Sequence, residues 1–546
     1  MSTMHLKKAV SMARIMFPVG IAAVALLVTP SARGAAPGIT GPTFNLTAAD
    51  SYITQPDGQA IYSWGYGCNG APAGYAPFTG SCSTMQIPGP TLIVTEGATV
   101  TVTLTNNLPK AAGNTSLLFP GFQVTAAPAA AQPSLACTPS TAISQGLLTS
   151  EVTNGCSVTY TFMATSPGTR AYYSGSQGDL QVEMGMYGAI IVLPATIPTN
   201  CTSGLATANV LVEQANGEKD FRLAPAAYDH ASSCYDREYL FQFSEIDPRI
   251  HKQAETQVNA GAAALNIQTE PYHPTYFMVN GRSMPDDMDP NYENEYPHQP
   301  YNGNPHMHPG ELVLLRIIGQ GRWQHPFHEH GNHVRILARD GNLILSKTNP
   351  SQNLAGPLLF TTTTTPGLAM DGIFYWTGKG LNWDVYGHNE KDASGTLDAR
   401  NVPLNPPCSP DANGYYTANS PSPAPANAIN YYEWCADHNK PLEKAPFGDV
   451  GGAGPATLPD PNYLTNGTWY GGSAYLGPDA TIRATGPTGT TPPSGTIGNP
   501  PASEAGFAFM WHSHNEREIT TNNVFPGGMM MMMLVDSREF VIDESN

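Results

Sequence analysis

Residues 87–109 read IPGPTLIVTEGATVTVTLTNNLP, and this stretch constrains the fold more than any other. β-Branched residues alternate with small or polar ones, the period of a half-buried strand. A Glu-Gly pair interrupts the alternation, so the stretch predicts two strands joined by a turn. Val158–Phe162 and Tyr187–Val192 follow with the same character, then Pro194–Thr202 reads as a linker. A second strand-rich block is expected at Glu238–Phe243, Tyr276–Val279, Leu312–Ile318, Val334–Ala338, Ile373–Trp376, Phe507–Trp511 and Met529–Val535. Short strands closely punctuated by turns are the pattern of a sandwich or barrel. Composition agrees: 54 glycines and 50 prolines are too many for a mainly helical chain of 546 residues.

Residues 380–505 break the rhythm. They are rich in Asn, Pro, Gly, Thr and Ser, as in SPSPAPANA (420–428) and GPTGTTPPSGTIGNPP (486–501). Loops beyond about 12–15 residues are uncommon, so this segment reads as an insertion within the second block. At the other end, Lys7, Lys8 and Arg14 precede the apolar run Ile15–Val28, with Ala32 and Gly34 after it. That is the pattern of a secretory signal over residues 1–34. The run falls short of the roughly 20 residues that span a bilayer, so no membrane span is expected and the chain reads as secreted or periplasmic. Eight cysteines fit an oxidising compartment. Sequential pairing, 68–82, 137–156, 201–234 and 408–435, is the simplest of 105 connectivities.

Charged residues are 12% of the chain and the net charge is −18. Such a chain cannot neutralise phosphates along a duplex, which excludes a nucleic-acid partner of the usual kind. There is no GxSxG elbow and no HExxH helix.

The histidines carry the chemical signal. His325, His328 and His330 lie in WQHPFHEHGNH, and His512 and His514 in MWHSHNERE. On a strand, residues i and i+2 face one side, so each HxH unit aims two imidazoles at one point. Two such strands side by side would converge four. Imidazole sets suit copper, zinc, iron or nickel. Glu516 or Glu518 could add a carboxylate, whereas Glu329 would face away. His306 and His308, in NPHMHPGE, form a third HxH expected to be a solvated loop. Met529–Met533 reads as a buried strand of thioethers, with a soft copper ligand as the alternative.

These motifs resemble the multicopper oxidase family, with its laccases and copper-resistance oxidases. The opening IPGPTLIVTEGATVTVTLTNNLP resembles that family's first domain. HPFHEHG resembles its HPxHLHG motif, and WHSHNERE with GGMMMMM its HCHxxxH motif with the downstream methionine. The resemblance covers most of residues 40–380 and 505–536. It implies an all-β chain of two cupredoxin-like Greek-key sandwiches, at 38–195 and 203–546, the second carrying the insertion. It also implies that His325 matches a blue-copper ligand, and that His328, His330, His512 and His514 match ligands of the coupled copper cluster.

The family's pattern is incomplete here. TSLLFPGF stands at the position of the HWHG motif, with Leu118 and Pro120 for its histidines. AYYSGSQ stands at that of the HSH motif, with Tyr173 and Gly175. Ser513 replaces the blue-copper cysteine, and Glu518 falls near the next histidine. A hydroxyl is a poor copper ligand beside a thiolate, so ordinary laccase activity is not expected. Two readings follow. One is an exported oxidoreductase with a reduced copper centre at His325, His328, His330, His512 and His514, acting on a small molecule or metal ion. The other is a non-catalytic copper-binding or structural protein that kept half a site. Zinc, manganese and iron stay open as the metal, and so does a homo-oligomer.

Overall fold

The computed structural model describes residues 35–128, 137, 148–202, 209–210, 214, 217–349, 353–379, 411–415, 432–434, 436, 472–475, 481–482, 497–498, 506–538 and 540–544. The leader expected over 1–34, the cysteines 408 and 435, and most of the insertion lie outside them.

Two β-sandwiches account for nearly all the described strands. In the first, one sheet runs in the order Tyr75–Ala76, Gly38–Thr40, Leu92–Thr95, Tyr187–Leu193, Gly168–Tyr173. Its partner runs Ala60–Cys68, Thr43–Thr54, Thr99–Asn106, Ser157–Met163, Thr125–Pro128. The two strands expected within 87–109 are present, but they belong to different sheets. Gly97, at φ +81°, turns the chain from one layer to the other. The alternating Val100, Val102 and Leu104 therefore point inward, toward Trp64, Tyr160 and Tyr172.

In the second sandwich, one sheet runs Tyr276–Val279, Arg237–Ile246, Leu312–Gly319, Ala369–Tyr375, Val334–Arg339, Asn342–Leu343. The facing sheet runs His306–Met307, Met530–Asp536, Gly506–Ser513, His325–Glu329, Thr361–Thr364. Between them, Phe327, Phe509, Trp511 and every second methionine of the run, Met529, Met531 and Met533, fill one core with Phe243 and Ile317. The methionines are thus a packed strand, as the sequence reading expected. Gly472–Tyr475, from the insertion, pairs with Gly506–Ser513.

The helix Pro248–Asn259 was not legible from the strand pattern. Asp247 caps it, accepting from Arg249 N at 3.0 Å, and Pro248 occupies its first turn. Ile250 and Ala254 on its buried face join the core of the first sandwich. Polar contacts close the seam between the sandwiches: Thr169 Oγ1 donates to Asp371 at 2.6 Å, and Tyr187 Oη to Ser244 Oγ at 2.7 Å. Disulfides join Cys68–Cys82, Cys137–Cys156 and Cys201–Cys234, as sequential pairing expects. Among the described residues, no helix is long and apolar enough to cross a membrane.

Candidate metal centre

The strands His325–Glu329 and Gly506–Ser513 are antiparallel neighbours, with His328 directly opposite His512. The i, i+2 rule then puts His330 and His514 on the same face. Ring centroids of His328 lie 4.8 Å from His330, 5.7 Å from His512 and 4.5 Å from His514. His512 lies 5.1 Å from His330 and 5.0 Å from His514. His328, His330 and His512 are buried, and His514 is exposed at the open side.

Hydrogen bonds orient two of the rings, and for His512 they fix which nitrogen is offered. The Ser513 carbonyl can only accept, so His512 Nδ1 donates to it at 2.8 Å and leaves Nε2 with its lone pair. His328 Nδ1 is held by Thr361 Oγ1 at 2.9 Å. Burial first, and then the neighbouring His330, His514 and His512, push the His328 ring down to about 4. Burial lowers His512 as well. These are neutral rings, the state that binds metal. His512 Nε2 and His330 Nε2 are 3.2 Å apart. Two nitrogens on one tetrahedral ion at about 2.0–2.1 Å sit roughly 3.3 Å from each other, so this pair is already spaced as two ligands of a shared ion. His328 and His514 stand beside it, and closing all four on one ion requires ring rotation.

His325 does not join them. Fully buried, it lies between two carboxylates: Nε2 donates to Glu245 Oε2 at 3.0 Å, and Nδ1 is 3.0 Å from Glu518 Oε2. Burial alone would strip its proton, but hydrogen bonds to Glu245 and Glu518 outweigh that and push it up to about 9. Ser513 Oγ donates to the same Glu518 oxygen at 2.5 Å. Glu518 is therefore engaged away from the four rings, and Glu516 is exposed. Glu329 faces away, as its place in the strand requires. It accepts from Thr362 Oγ1, and burial pushes its carboxyl up to about 8.

The third HxH is a correction. His306 and His308 are not solvated but buried, each 1% exposed. His306 Nδ1 meets Asp536 Oδ2 at 2.6 Å, and His308 Nε2 meets Glu218 Oε2 at 3.0 Å. Glu218, His308 and Glu311 also have ligand atoms within 4.8 Å of one another. A cation already serves them: Arg237 pairs with Glu218, with Glu311 at 2.7 Å and with Glu544 at 3.2 Å.

Sequence reasoning missed Glu245 and Thr361. Glu245 had a signal: it is one of two acids, with Glu238, in a strand buried at all ten positions, and such an acid needs partners. Gly321 makes room for it. At φ +68°, a Cβ there would lie 2.4 Å from Glu245 Oε2.

Two multicopper oxidase domain models match the chain, one over residues 82–196 and one over 268–370. Over those residues the chain is multicopper-oxidase-like. The second match includes His325, His328 and His330. No curated protein sequence matches. Among solved structures, the multicopper oxidase mgLAC is 18% identical, with a TM-score of 0.37 over 61% of this chain and 74% of that one. The blue copper oxidase from Nitrosomonas europaea is 14% identical, with a TM-score of 0.41 over 90% and 85%. A copper nitrite reductase from the same organism is 19% identical, with a TM-score of 0.35 over 62% and 84%.

The matched domain models are those of copper oxidases, and the donor sets divide on copper. Around His325 the set does not fit a blue copper: no thiolate is present, and both ring nitrogens face carboxylates. The first-domain positions offer no nitrogen ligand either. Leu118 N donates to Tyr173 O at 2.8 Å, and a Cβ on Gly175 would meet Leu118 and Thr149. The imidazoles of His328, His330, His512 and His514 are a donor set that does fit, with the His330–His512 pair already in place.

Proposed function

We propose that this protein is an exported copper-binding oxidoreductase whose metal centre consists of His328, His330, His512 and His514 alone. Copper there would supply one-electron exchange with a small molecule or metal ion. The protein's own part is to hold the rings neutral and oriented: Thr361 and the Ser513 carbonyl engage the two Nδ1 atoms, leaving the Nε2 atoms to bind. His514, on the exposed side, is where a substrate would approach. His325 is not a ligand in this reading, and no blue centre feeds the site with electrons, so four-electron reduction of oxygen is not its reaction. Export is supported by the leader pattern and by disulfides, which persist in oxidising compartments.

The observation that carries the reading is the 3.2 Å separation of His330 Nε2 and His512 Nε2, in a pocket where burial keeps imidazole uncharged. The test is metal analysis of copper-loaded mature protein, with absorbance near 600 nm and electron paramagnetic resonance. About one copper with nitrogen hyperfine structure and no blue band supports the proposal. A strong blue band overturns it. Absence of bound copper favours a structural protein.

A further inference from the structure

Six buried side chains run in a line from the seam between the sandwiches to the strand end that carries His512 and His514. Glu183, in the first sandwich, accepts from Asp247 N at 2.7 Å through Oε1. Its Oε2 lies 2.6 Å from Tyr272 Oη, which lies 3.2 Å from Glu245 Oε1. Glu245 Oε2 meets His325 at 3.0 Å, His325 meets Glu518 at 3.0 Å, and Glu518 accepts from Ser513 Oγ at 2.5 Å. Asn515 Nδ2 donates to the other Glu518 oxygen at 2.9 Å. None of Glu183, Tyr272, Glu245, His325, Glu518 and Ser513 is more than 9% exposed.

The links depend on one another. Tyr272 has one hydroxyl proton and faces two carboxylates, so both contacts are favourable only when Glu183 brings a proton of its own. Burial pushes the Glu183 carboxyl up to about 8, so it does so at neutral pH. Glu183 can then donate to Tyr272, which donates to Glu245, which holds His325. Glu245 Oε1 also accepts from Arg322 N at 2.7 Å and Trp323 N at 2.9 Å, so removing one member loosens the next rather than stripping it of every partner, and in a buried network even that is costly. Ser513, at the far end, lies between His512 and His514.

We propose that this chain couples the seam to the imidazole centre, with Glu183 and Tyr272 as positioning residues. Through Glu245, His325 and Glu518 they fix the strand end that presents His512 and His514. The functional half of this inference rests on the four imidazoles being metal ligands. The mechanical half holds in the metal-free protein.

The test is Tyr272→Phe in the full chain. It removes one hydroxyl and keeps the ring, with its edge contact to Trp323 at 5.6 Å and the Arg322 guanidinium at 4.1 Å. Amide hydrogen exchange of metal-free protein is expected to rise several-fold at residues 513–518, beyond the local change near 245–275. Copper affinity, read by chelator competition, is expected to fall about fivefold, within the usual range of coupling between sites. Glu183→Ala is expected to act alike. Glu183→Gln, whose amide can donate to Tyr272, is expected to behave as wild type. Tyr52→Phe, which loses only an exposed bond to Glu255, is expected to move neither reading. Exchange changes confined to 245–275 overturn the proposal. If wild type takes up no copper, the metal reading fails while the exchange result still decides the coupling.

Discussion

Raising the pH from 6 to 10 is expected to remove a defined part of the protein's stability through His325 alone. Its ring titrates at about 9 in the folded protein and ordinarily near 6.5. A base whose folded value is raised stabilises fully below its unfolded value, and that stabilisation is lost as pH rises through the folded one. The window is therefore about 6.5 to 9. At roughly 1.36 kcal/mol per pH unit, the contribution is about 3 kcal/mol. The ring is fully buried between Glu245 and Glu518, so solvent screening does not reduce it. The assay is denaturant unfolding of metal-free wild type and His325→Gln at both pH values. Removing the charged partner of two buried carboxylates is expected to cost about 3–5 kcal/mol at pH 6. The wild-type advantage is then expected to shrink by about 3 kcal/mol at pH 10. If both proteins lose the same stability across that range, His325 is not an imidazolium between two carboxylates.

Three further outcomes follow from the geometry. Ser513→Cys combined with Glu518→His restores a thiolate and a second imidazole beside His325, and copper loading is expected to produce absorbance near 600 nm; either change alone is expected to leave the protein colourless. His330→Ala or His512→Ala, each removing one nitrogen of the 3.2 Å pair, is expected to weaken copper at least tenfold by chelator competition while the far-ultraviolet circular dichroism stays unchanged. Gly321→Ala meets both a positive φ and a Cβ position 2.4 Å from Glu245 Oε2, and is expected to cost about 2 kcal/mol in denaturant unfolding.

The all-β architecture was legible because strand alternation is a local signal. Val100, Val102 and Leu104 declare their buried face in the sequence. Met529–Met533, five identical residues, do not, and only the fold shows which of them face the core. The shared face within each HxH unit followed from the i, i+2 rule, which needs no tertiary information; that the two strands are neighbours is shown by the fold. What stayed hidden was non-local. The helix Pro248–Asn259 is stabilised by a core that belongs to the other sandwich. His306 and His308 stand beside Pro309-Gly310, which reads as a turn, yet Asp536 and Glu218, 230 and 90 residues away in sequence, bury them. The resemblance already set His325 apart from the other four, but what holds it was equally hidden. Glu245, one of its two partners, lies 80 residues upstream.

The substitutions at 513 and 518 make physical sense only together. An imidazole buried where a metal would sit has two unsatisfied nitrogens, and burial favours its neutral form. A serine alone in place of cysteine would leave that ring beside a single weak hydroxyl. A carboxylate at 518 changes the balance. With Glu245 on the opposite nitrogen it makes an imidazolium flanked by two carboxylates the stable species, and it accepts the Ser513 hydroxyl as well. Metal–ligand bonds in such a place would tie the strand His325–Glu329 to the loop after Ser513. The ion triad makes the same tie with protons, in directions set by the two ring nitrogens. On this argument Glu518→Gln, which keeps the shape and removes the charge, disturbs the triad more than Ser513→Ala, which removes one hydrogen bond. The ordering of their unfolding free energies at pH 7 tests it, and the reverse order would mean that the hydroxyl, not the charge, holds the loop.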